Sequence, residues 1–445
     1  MKKDRTIDLK YIDVLDGIRA ISIIIVLIFH FWQQTWIWPS IDTPWLSFIG
    51  ISRLSINNYA KVGYVFVDMM VLISGFLLFL PLARQVLLGE SMDSWKKYAR
   101  KRIARIVPSY LVCVVGLFIY NVSLNHYANT AVAVKDLLTH LTFTQTLFMG
   151  TYLSTKLNVV LWTVAVEVWF YVLYPFIVSF IKRRSDGKRA VGFSIIKVAI
   201  VVAAMYLVFC LYANEFVFKE GVYLSMTINQ LPAFFSVYAN GMVGAFIFVA
   251  IAKKLERTPM VAYVSLIIAV LSIVAVDKMV HSLSSVSGEE AQIWQVANRT
   301  LLSLVFVTLV ISLALSPKWV RWLFSNRLMR FLAGISYNLY IWHQWLAVEI
   351  KGTWRIPPWS GSTPPNQLYD MDWMKKYAAI ITVAAFAAAV LATYFVEKPC
   401  ANLILGRPAF GKKKAKEAKP ILTADESTML DEREEHDGAE ELDKQ

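Results

Sequence analysis

Long apolar runs alternate with short polar segments along almost the whole chain. Ten runs are long enough to span a membrane, at residues 19–38, 62–82, 105–122, 158–181, 190–212, 230–252, 260–280, 299–316, 328–350 and 377–396. A helix of about 20 apolar residues crosses the roughly 30 Å hydrocarbon core of a bilayer, and lipid permits few other backbone structures. The pattern therefore predicts an all-α, polytopic membrane protein with about ten transmembrane helices.

The first run, LDGIRAISIIIVLIFHF at residues 15–31, contains both an arginine and a histidine. Arg19 and His30 are eleven positions apart, which is about three helical turns, so both lie on one face, separated by roughly 16 Å along the axis. An ionisable side chain at that depth costs on the order of 2.5–3.5 kcal/mol on insertion scales and is a functional candidate. Because the run is long and no small-residue cleavage site follows it, we expect it to stay as the first span rather than to be removed as a signal peptide.

Lysine and arginine are concentrated in alternate loops. They cluster at Lys2, Lys3 and Arg5, at Lys96 to Arg105, at Lys182 to Arg189, at Lys253, Lys254 and Arg257, at Lys318 to Arg330 and at Lys412 to Lys414. The positive-inside rule then places both termini in the cytoplasm, although four such residues in the outer loop 351–376 weaken the alternation. We expect a cytoplasmic segment at 1–18, a membrane domain at 19–400 and a cytoplasmic tail at 401–445, disordered where it is highly charged and lacks aromatic residues.

Composition supports this class and excludes others. Hydrophobic residues make up 57% of the 445 residues and charged residues only 17%. The net charge of +13 lies in the loops, so it does not indicate a nucleic-acid partner. The three cysteines, Cys113, Cys210 and Cys400, are far apart and form no C-x-x-C pair, so neither a disulfide framework nor a metal site is predicted.

Two further elements near the start of the chain carry candidate chemistry. The second run, GYVFVDMMVLISGFLLF, places Asp68 among apolar residues; it either has a function or simply bonds a neighbouring helix, and the sequence does not choose. The element YARKRIARIVPSY supplies Arg102 and Arg105, three positions apart on one helical face. They are either a positive-inside cluster or a binding site for a phosphorylated cofactor, since arginine forks bind phosphate groups in bidentate fashion.

Two later runs contain polar stripes on otherwise apolar helices. In LWTVAVEVWFYVLYP, Glu167 is followed by Tyr171 and Tyr174 at helical spacing. In GISYNLYIWHQW, the corresponding set is Ser336, Tyr340 and His343. Each stripe is either a hydrogen-bonded packing contact or part of a buried polar centre, and two membrane histidines in one chain favour the second alternative.

Two outer loops are long. The segment 123–157 includes LLTHLTFTQTLF, which predicts a short interfacial helix. The segment 351–376 carries Trp354, Trp359, Tyr369 and Trp373 among prolines. Aromatic faces can hold a sugar ring, but we favour an aromatic belt at the membrane interface.

Together these motifs resemble the acyltransferase 3 family of bacterial membrane O-acyltransferases. DGIRAISIIIVLIFH resembles its first-span arginine–histidine motif, and the second-span, R-x-x-R, glutamate and serine–tyrosine–histidine elements follow in the family's order over about residues 11–400, ending in VEKP at 396–399. The resemblance implies a ten-helix domain in the bacterial cell membrane. It also implies transfer of an acyl group, usually acetyl, from coenzyme A to a hydroxyl of a cell-envelope glycan or related acceptor.

Carried over by position, the resemblance implies that His30 is the essential catalytic residue and that Glu167 supports it. Arg19, Arg102 and Arg105 would bind acyl-coenzyme A as donor substrate, with no tightly bound cofactor, and Asp68, Ser336, Tyr340 and His343 would bind substrate or support the site. His30 would act as general base or carry the acyl group transiently. Because many relatives have an added extracytoplasmic domain, we expect either direct transfer here or hand-off to a separate protein.

A different class of function fits the same buried residues. Histidine, glutamate and aspartate inside a membrane domain also form the proton relays of transporters, so the alternative is a proton-coupled transporter or flippase of envelope precursors. We see no internal repeat linking the two halves of the chain, which counts against that alternative. An acyltransferase consumes acetyl-coenzyme A and a transporter does not, so measuring its consumption distinguishes the two functions.

Overall fold

A computed structural model describes residues 8–9, 11–49, 52–219, 223–254 and 258–409. The prediction of a disordered tail falls on residues from 410 onward and lies outside this part of the chain. The first seven residues of the predicted N-terminal segment 1–18, and residue 10, also lie outside it.

The described residues form sixteen α-helices. In chain order they are α1 Val14–Thr35, α2 Asn57–Val62, α3 Phe66–Leu88, α4 Trp95–Ser123, α5 Thr130–Leu141, α6 Met149–Tyr152, α7 Trp162–Ile181, α8 Lys188–Tyr212, α9 Leu224–Thr227, α10 Phe235–Lys254, α11 Pro259–Ser284, α12 Gly288–Leu315, α13 Lys318–Ser325, α14 Arg327–Lys351, α15 Met371–Ala392 and α16 Lys398–Ile404.

Shorter segments complete the backbone. Strands β1 Ser40–Asp42 and β2 Arg53–Ser55 form an antiparallel pair, with Ser40 opposite Ser55. Turns of 3₁₀-helix lie at Pro44–Ile49, Gly63–Val65, Gln145–Leu147, Val159–Leu161 and Leu231–Phe234, and π-helical segments at Ala213–Lys219 and Thr393–Glu397.

The predicted fold class is confirmed. Nine helical stretches in the described part of the chain are long and apolar enough to cross a membrane, and they contain α1, α3, α4, α7, α8, α10, α11, α12 and α15. The ninth predicted span, 328–350, is α14, a 25-residue helix about 37 Å long. It is less apolar than the other nine because its central turns carry Ser336, Asn338, Tyr340 and His343.

Burial separates central helices from peripheral ones. Buried residues make up 67–78% of the apolar windows that contain α1, α3 and α10, but only 22% of those that contain α8, α11 and α15. The peripheral helices expose large apolar side chains such as Leu211, Leu271 and Val383. Such faces are suited to contact with lipid, since apolar surface avoids water.

Helices α1, α4 and α14 run in the same direction. Where α1 and α14 begin, Arg321 Nη1 lies 2.8 Å from Asp13 Oδ2. Where they end, Lys351 Nζ donates to the backbone oxygen of Gln34 at 3.2 Å. Near the ends of α4 and α14, Tyr120 donates to Glu349 Oε2 at 3.0 Å. We call the end at which these three helices begin the basic end, and the opposite one the far end.

A glycine allows α1 to pack closely at the basic end. A Cβ atom on Gly17 would lie 2.4 Å from the Cα atom and from the backbone oxygen of Phe324 in α13. No side chain fits at that separation. The glycine of the DGIR motif therefore fixes the approach of α1, and with it the position of Arg19 two residues later.

The short helix predicted within LLTHLTFTQTLF, residues 137–148, lies elsewhere: α5 begins at Thr130 and ends at Leu141, and only a 3₁₀ turn at Gln145–Leu147 follows it within that segment. The far end contains α5 and the aromatic loop after α14. Indole nitrogens tie this loop down: Trp359 donates to the backbone oxygen of Lys351 at 3.0 Å, and Trp373 donates to that of Pro357 at 3.0 Å. Trp354 donates to the hydroxyl of Tyr120 at 3.0 Å. The hydrogen bonds of these three tryptophan side chains therefore stabilise the conformation of the loop.

Candidate active site

Five helices enclose a polar cavity inside the bundle, towards the basic end. About 580 Å³ of its space is free of protein atoms, including the part that opens outward. Its polar lining comes from α1, α3, α4, α7 and α14 and consists of Arg19, Ser74, Arg105, Thr163, Glu167, Ser336, Tyr337 and Tyr340. We call it the inner cavity. The structure thus brings together five residues predicted for the site, and adds Ser74, Thr163 and Tyr337.

Glu167 is held in place by two hydrogen bonds. Its Oε1 atom accepts from Ser74 Oγ at 2.6 Å and from the hydroxyl of Tyr171 at 2.5 Å. The predicted stripe on α7 is therefore a hydrogen-bonded pair at Glu167 and Tyr171. Tyr174, one turn further, instead packs on Phe79 and Tyr98, with ring centroids 5.3 and 5.0 Å away.

The arginines surround this carboxylate. Arg19 is 7% exposed and lines the inner cavity together with Arg105. Arg102 does not line it; its guanidinium lies over the ring of Tyr171, 5.1 Å from the centroid, and 5.7 Å from that of Tyr98. Arg102 is thus linked to the cavity through the tyrosine that bonds Glu167. All three predicted arginines lie at or beside one site.

His30 lies beyond the inner cavity, towards the far end, next to His343. Their ring centroids are 4.9 Å apart. The two residues are at matching heights, since His30 follows Val14 and His343 follows Arg327 by sixteen positions on parallel helices. The sequence predicted both residues but not that they meet.

Hydrogen bonds define the protonation of these two rings. His343 is fully buried, and its Nδ1 faces the backbone oxygens of Leu339 and Tyr340 at 3.0 and 2.8 Å. Because carbonyl oxygens only accept, Nδ1 of His343 carries the proton and Nε2 has the lone pair. That Nε2 has no hydrogen-bond partner among the described residues. His30 Nδ1 lies 3.2 Å from Gln33 Oε1, an arrangement that also leaves the lone pair on Nε2.

Asp68 lies outside the inner cavity and has a partner. Its Oδ2 is 3.1 Å from Arg299 Nε, and both side chains are almost completely buried. Arg299 also donates to the backbone oxygens of Ile228 and Ala233, at 2.9 and 3.0 Å, and stacks on Phe234. Of the two alternatives for Asp68, this geometry favours the structural one.

Sequence reasoning missed two residues behind the arginines. Asn338 on α14 donates to Glu397 Oε2 at 2.5 Å and to Thr393 Oγ1 at 2.9 Å. Glu397 in turn interacts electrostatically with Arg105. Glu397 belongs to the VEKP element at 396–399, where the predicted resemblance ends. The residues around Glu397 do not indicate which arginine its carboxylate faces. No group of three or more His, Cys, Asp or Glu side chains among the described residues is arranged to hold a metal ion.

Comparison with known proteins identifies the family. A family model described as an acyltransferase domain matches residues 12–397, which is most of the chain. The chain belongs to the acyltransferase 3 family. The resemblance predicted from the five motifs is thereby confirmed.

Two curated proteins to which the chain is similar come from Staphylococcus aureus. O-acetyltransferase OatA of strain MRSA252 is 24% identical over 433 residues, covering 93% of this chain and 61% of OatA. A protein of strain COL named "Putative O-acetyltransferase" is 22% identical over 351 residues, covering 75% of this chain and 50% of that protein. The chain thus spans about half to three fifths of the length of these relatives. No solved structure matches it.

Proposed function

We propose that this protein is a membrane O-acyltransferase of the bacterial cell membrane. It transfers an acyl group, acetyl in the simplest case, from cytoplasmic acyl-coenzyme A to a hydroxyl of a cell-envelope glycan or related acceptor. The observation that carries the proposal is the inner cavity, which combines Arg19, Arg105 and Glu167 below the His30–His343 pair. Membership of the acyltransferase 3 family supports the reaction type.

The arginines at the basic end are suited to binding the donor, acyl-coenzyme A. Coenzyme A carries phosphate groups, and guanidinium forks bind phosphate in bidentate fashion. Arg102 and Arg105 lie near the start of α4, so the phosphates would stay at the basic end. The slender pantetheine arm would then extend through the inner cavity past Glu167 and Tyr340. This brings the thioester towards His30 without moving the charged part of the donor into the membrane.

In this proposal His30 accepts a proton from the acceptor. As general base, its Nε2 takes the proton of the acceptor hydroxyl while that oxygen attacks the thioester carbonyl carbon. An ester C–O bond forms, the C–S bond breaks, and the electron pair leaves with the coenzyme A sulfur. The proton on His30 then passes to that sulfur, so the histidine returns to its starting state. If the acyl group instead forms a bond to Nε2 first, His30 is a transient acyl carrier.

The test uses the full chain in lipid nanodiscs with acetyl-coenzyme A labelled in the acetyl group, and a glycan-containing envelope extract as acceptor source. We expect His30→Ala to lower transfer about 10²–10⁴-fold, as for loss of a general base. His281→Ala is the matched control, because His281 is exposed and its ring bonds the side chain of Asn58, away from the inner cavity. Label bound covalently to the wild type, but not to His30→Ala, would distinguish acyl carrier from base.

Donor binding is measured separately by equilibrium dialysis. We expect Arg105→Ala to weaken binding about 10- to 100-fold, since a hydrogen bond to a charged group contributes about 1.5–3 kcal/mol. Arg189→Ala, an exposed arginine at the start of α8, should bind the donor like the wild type. Full transfer by His30→Ala would contradict the proposal. Movement of an envelope precursor with no consumption of donor would favour a transporter.

A further inference from the structure

Helix α13 joins two long helices at the basic end. Helix α12 ends at Leu315, α13 occupies Lys318–Ser325, and α14 begins at Arg327. The eight residues of α13 form a helix about 12 Å long, which is too short to cross a bilayer. Because one spanning helix ends there and the next begins, we expect α13 to lie at the boundary between the hydrocarbon core and water.

One face of α13 is apolar and exposed. Trp319, Trp322 and Leu323 are 59%, 62% and 49% exposed, and at about 100° per residue their positions fall within an arc of about 100°. Val320 and Arg321, on the opposite side, are 5% and 8% exposed. Exposure thus follows the period of the helix, and one complete face of α13 is directed outward.

The opposite face of α13 is fixed against the start of α1. Arg321 Nη1 lies 2.8 Å from Asp13 Oδ2. The backbone of Phe324 is the surface on which Gly17 packs. These two contacts determine how α13 is rotated about its axis, so the tryptophan face stays on the outside of the protein.

The residue types on this face indicate contact with lipid rather than with water. Two indoles and a leucine would be unfavourable in water, because apolar surface avoids it. The indole ring favours the headgroup region of a membrane, where both its apolar body and its N–H group have suitable surroundings. Leu328, at the start of α14, is also 59% exposed. This pattern is typical of a helix that lies in the membrane interface.

The charges beside this face are positive. The segment 318–330 contains four basic residues and no acidic one. The charge of Arg321 is matched by Asp13. Arg327 is exposed and Arg330 half-buried, and their spacing of three positions places them on one side of α14. Arginine forks bind phosphate oxygens in bidentate fashion, so these two residues are suited to a phosphate-containing headgroup.

This surface is distinct from the arginines of the inner cavity. Neither Arg327 nor Arg330 lines that cavity. The apolar face beside them also distinguishes a lipid from a soluble phosphate compound. A lipid places its headgroup at the arginines and its acyl chains along Trp319 and Trp322, whereas a soluble anion would leave both tryptophans in water.

We propose that the exposed face of α13 and the start of α14 form an interfacial site for anionic phospholipid. Trp319 and Trp322 lie among the headgroups and upper acyl chains, and Arg327 and Arg330 bind the headgroup. The site is independent of the proposed function, because it involves neither the acyl donor nor the acceptor. Since the other face of α13 contacts the start of α1, bound lipid holds that helix in place as well.

The position of the exposed face is measured by spin labelling. The full chain carries a nitroxide at Trp322→Cys in nanodiscs of phosphatidylcholine and phosphatidylglycerol, with Cys210 and Cys400 replaced by serine and the buried Cys113 retained. We expect oxygen, which dissolves in lipid, to relax the label at least twice as strongly as a water-soluble nickel chelate does. A label at Trp319→Cys should behave in the same way. Ser185→Cys, exposed between α7 and α8, is the control and should show the opposite order.

Headgroup preference is measured by native mass spectrometry of the full chain, released from micelles that contain equal amounts of phosphatidylglycerol and phosphatidylcholine. Both lipids carry a phosphate, but the choline cation of the second compensates it. We expect the wild type to retain at least fivefold more phosphatidylglycerol, since each basic residue near a membrane surface strengthens binding to anionic lipid about fivefold. Arg327→Gln combined with Arg330→Gln should lower this ratio at least threefold.

The matched control is Arg189→Gln combined with Lys254→Gln, which removes the same charge at exposed positions on α8 and α10. It should retain the wild-type ratio, and thermal unfolding at the wild-type temperature checks that both double variants are folded. Equal losses in the two double variants, or no preference in the wild type, would refute the headgroup site. Labels on α13 that the chelate reaches as readily as at Ser185→Cys would place the face in water, available to a protein partner, and would overturn the proposal.

Discussion

His30 and His343 are the two residues at which the proposed donor and acceptor paths meet. The backbone of α14 satisfies Nδ1 of His343, and Gln33, one turn further along α1, satisfies Nδ1 of His30. Each ring is therefore held by its own helix. Neither needs the other for its orientation, so the contact between them depends only on how α1 and α14 pack.

The buried pair Asp68–Arg299 has a different role, because neither residue lines the inner cavity. We expect Arg299→Ala to lower the free energy of unfolding by about 3–5 kcal/mol, since it leaves a buried carboxylate without its partner. Thermal unfolding of the purified protein checks this.

The control for that prediction is the double variant Asp68→Asn with Arg299→Gln, which removes both charges. It should recover part of the lost stability, because no unpaired charge remains. If Arg299→Ala were as stable as the wild type but inactive, Asp68 and Arg299 would belong to the chemistry after all.

Arg299 also shows what the sequence could not reveal about single residues. Asp68 stood out because a carboxylate is costly inside an apolar run. Its partner is 231 positions away in sequence, where Arg299 is at the edge of a predicted span and looks like a boundary residue. Which helices are neighbours decides the pair, and one sequence does not contain that information.

Among the described glycines, Gly17 in α1 makes the closest approach to a neighbouring backbone. Gly17→Ala would place a methyl group 2.4 Å from the backbone of Phe324. We expect α1 to shift away from α13, with a loss of about 1–3 kcal/mol in stability. Because Arg19 is two residues away, donor binding should weaken as well, as measured by equilibrium dialysis with acetyl-coenzyme A.

Gly116→Ala in α4 is the matched control, because a Cβ at that position has no neighbouring atom within 4 Å. It should be neutral or slightly stabilising, since alanine favours a helix more than glycine does. Unchanged donor binding in Gly17→Ala would show that the position of Arg19 does not depend on this contact.

Hydrophobic periodicity predicted the helices well but not their lengths or neighbours. The predicted span 328–350 is the helix Arg327–Lys351, whereas the span 62–82 is the middle of a longer stretch, Asn57–Leu88. Apolar runs mark the part of a helix inside lipid, and helices continue beyond it. The short strands β1 and β2 gave no signal, because three residues are too few for a periodicity.

For the whole molecule, the charge distribution predicts one orientation in the membrane. We expect a membrane-impermeant maleimide to label Ala128→Cys in intact cells, because the segment after α4 would face outward. Ser185→Cys, between α7 and α8, should be labelled only after permeabilisation. Both positions are exposed.

The control is a background protein in which the accessible native cysteines have been removed. Cys210 and Cys400 are replaced by serine, and Cys113 is left in place because it is buried. This background should show no labelling. The reverse pattern at the two introduced cysteines would invert the orientation, and would place the proposed donor site on the wrong side for a cytoplasmic substrate.

The close packing of α14 above the inner cavity has one more consequence. A bacterial membrane stores energy as a proton gradient, and a continuous water-filled path through a membrane protein would discharge it. Tyr340 lines the inner cavity, His343 follows it by three positions, and the two residues are 5% and 0% exposed. On the proposed function, the residues beside the transfer site would therefore also limit the leakage of ions through the protein.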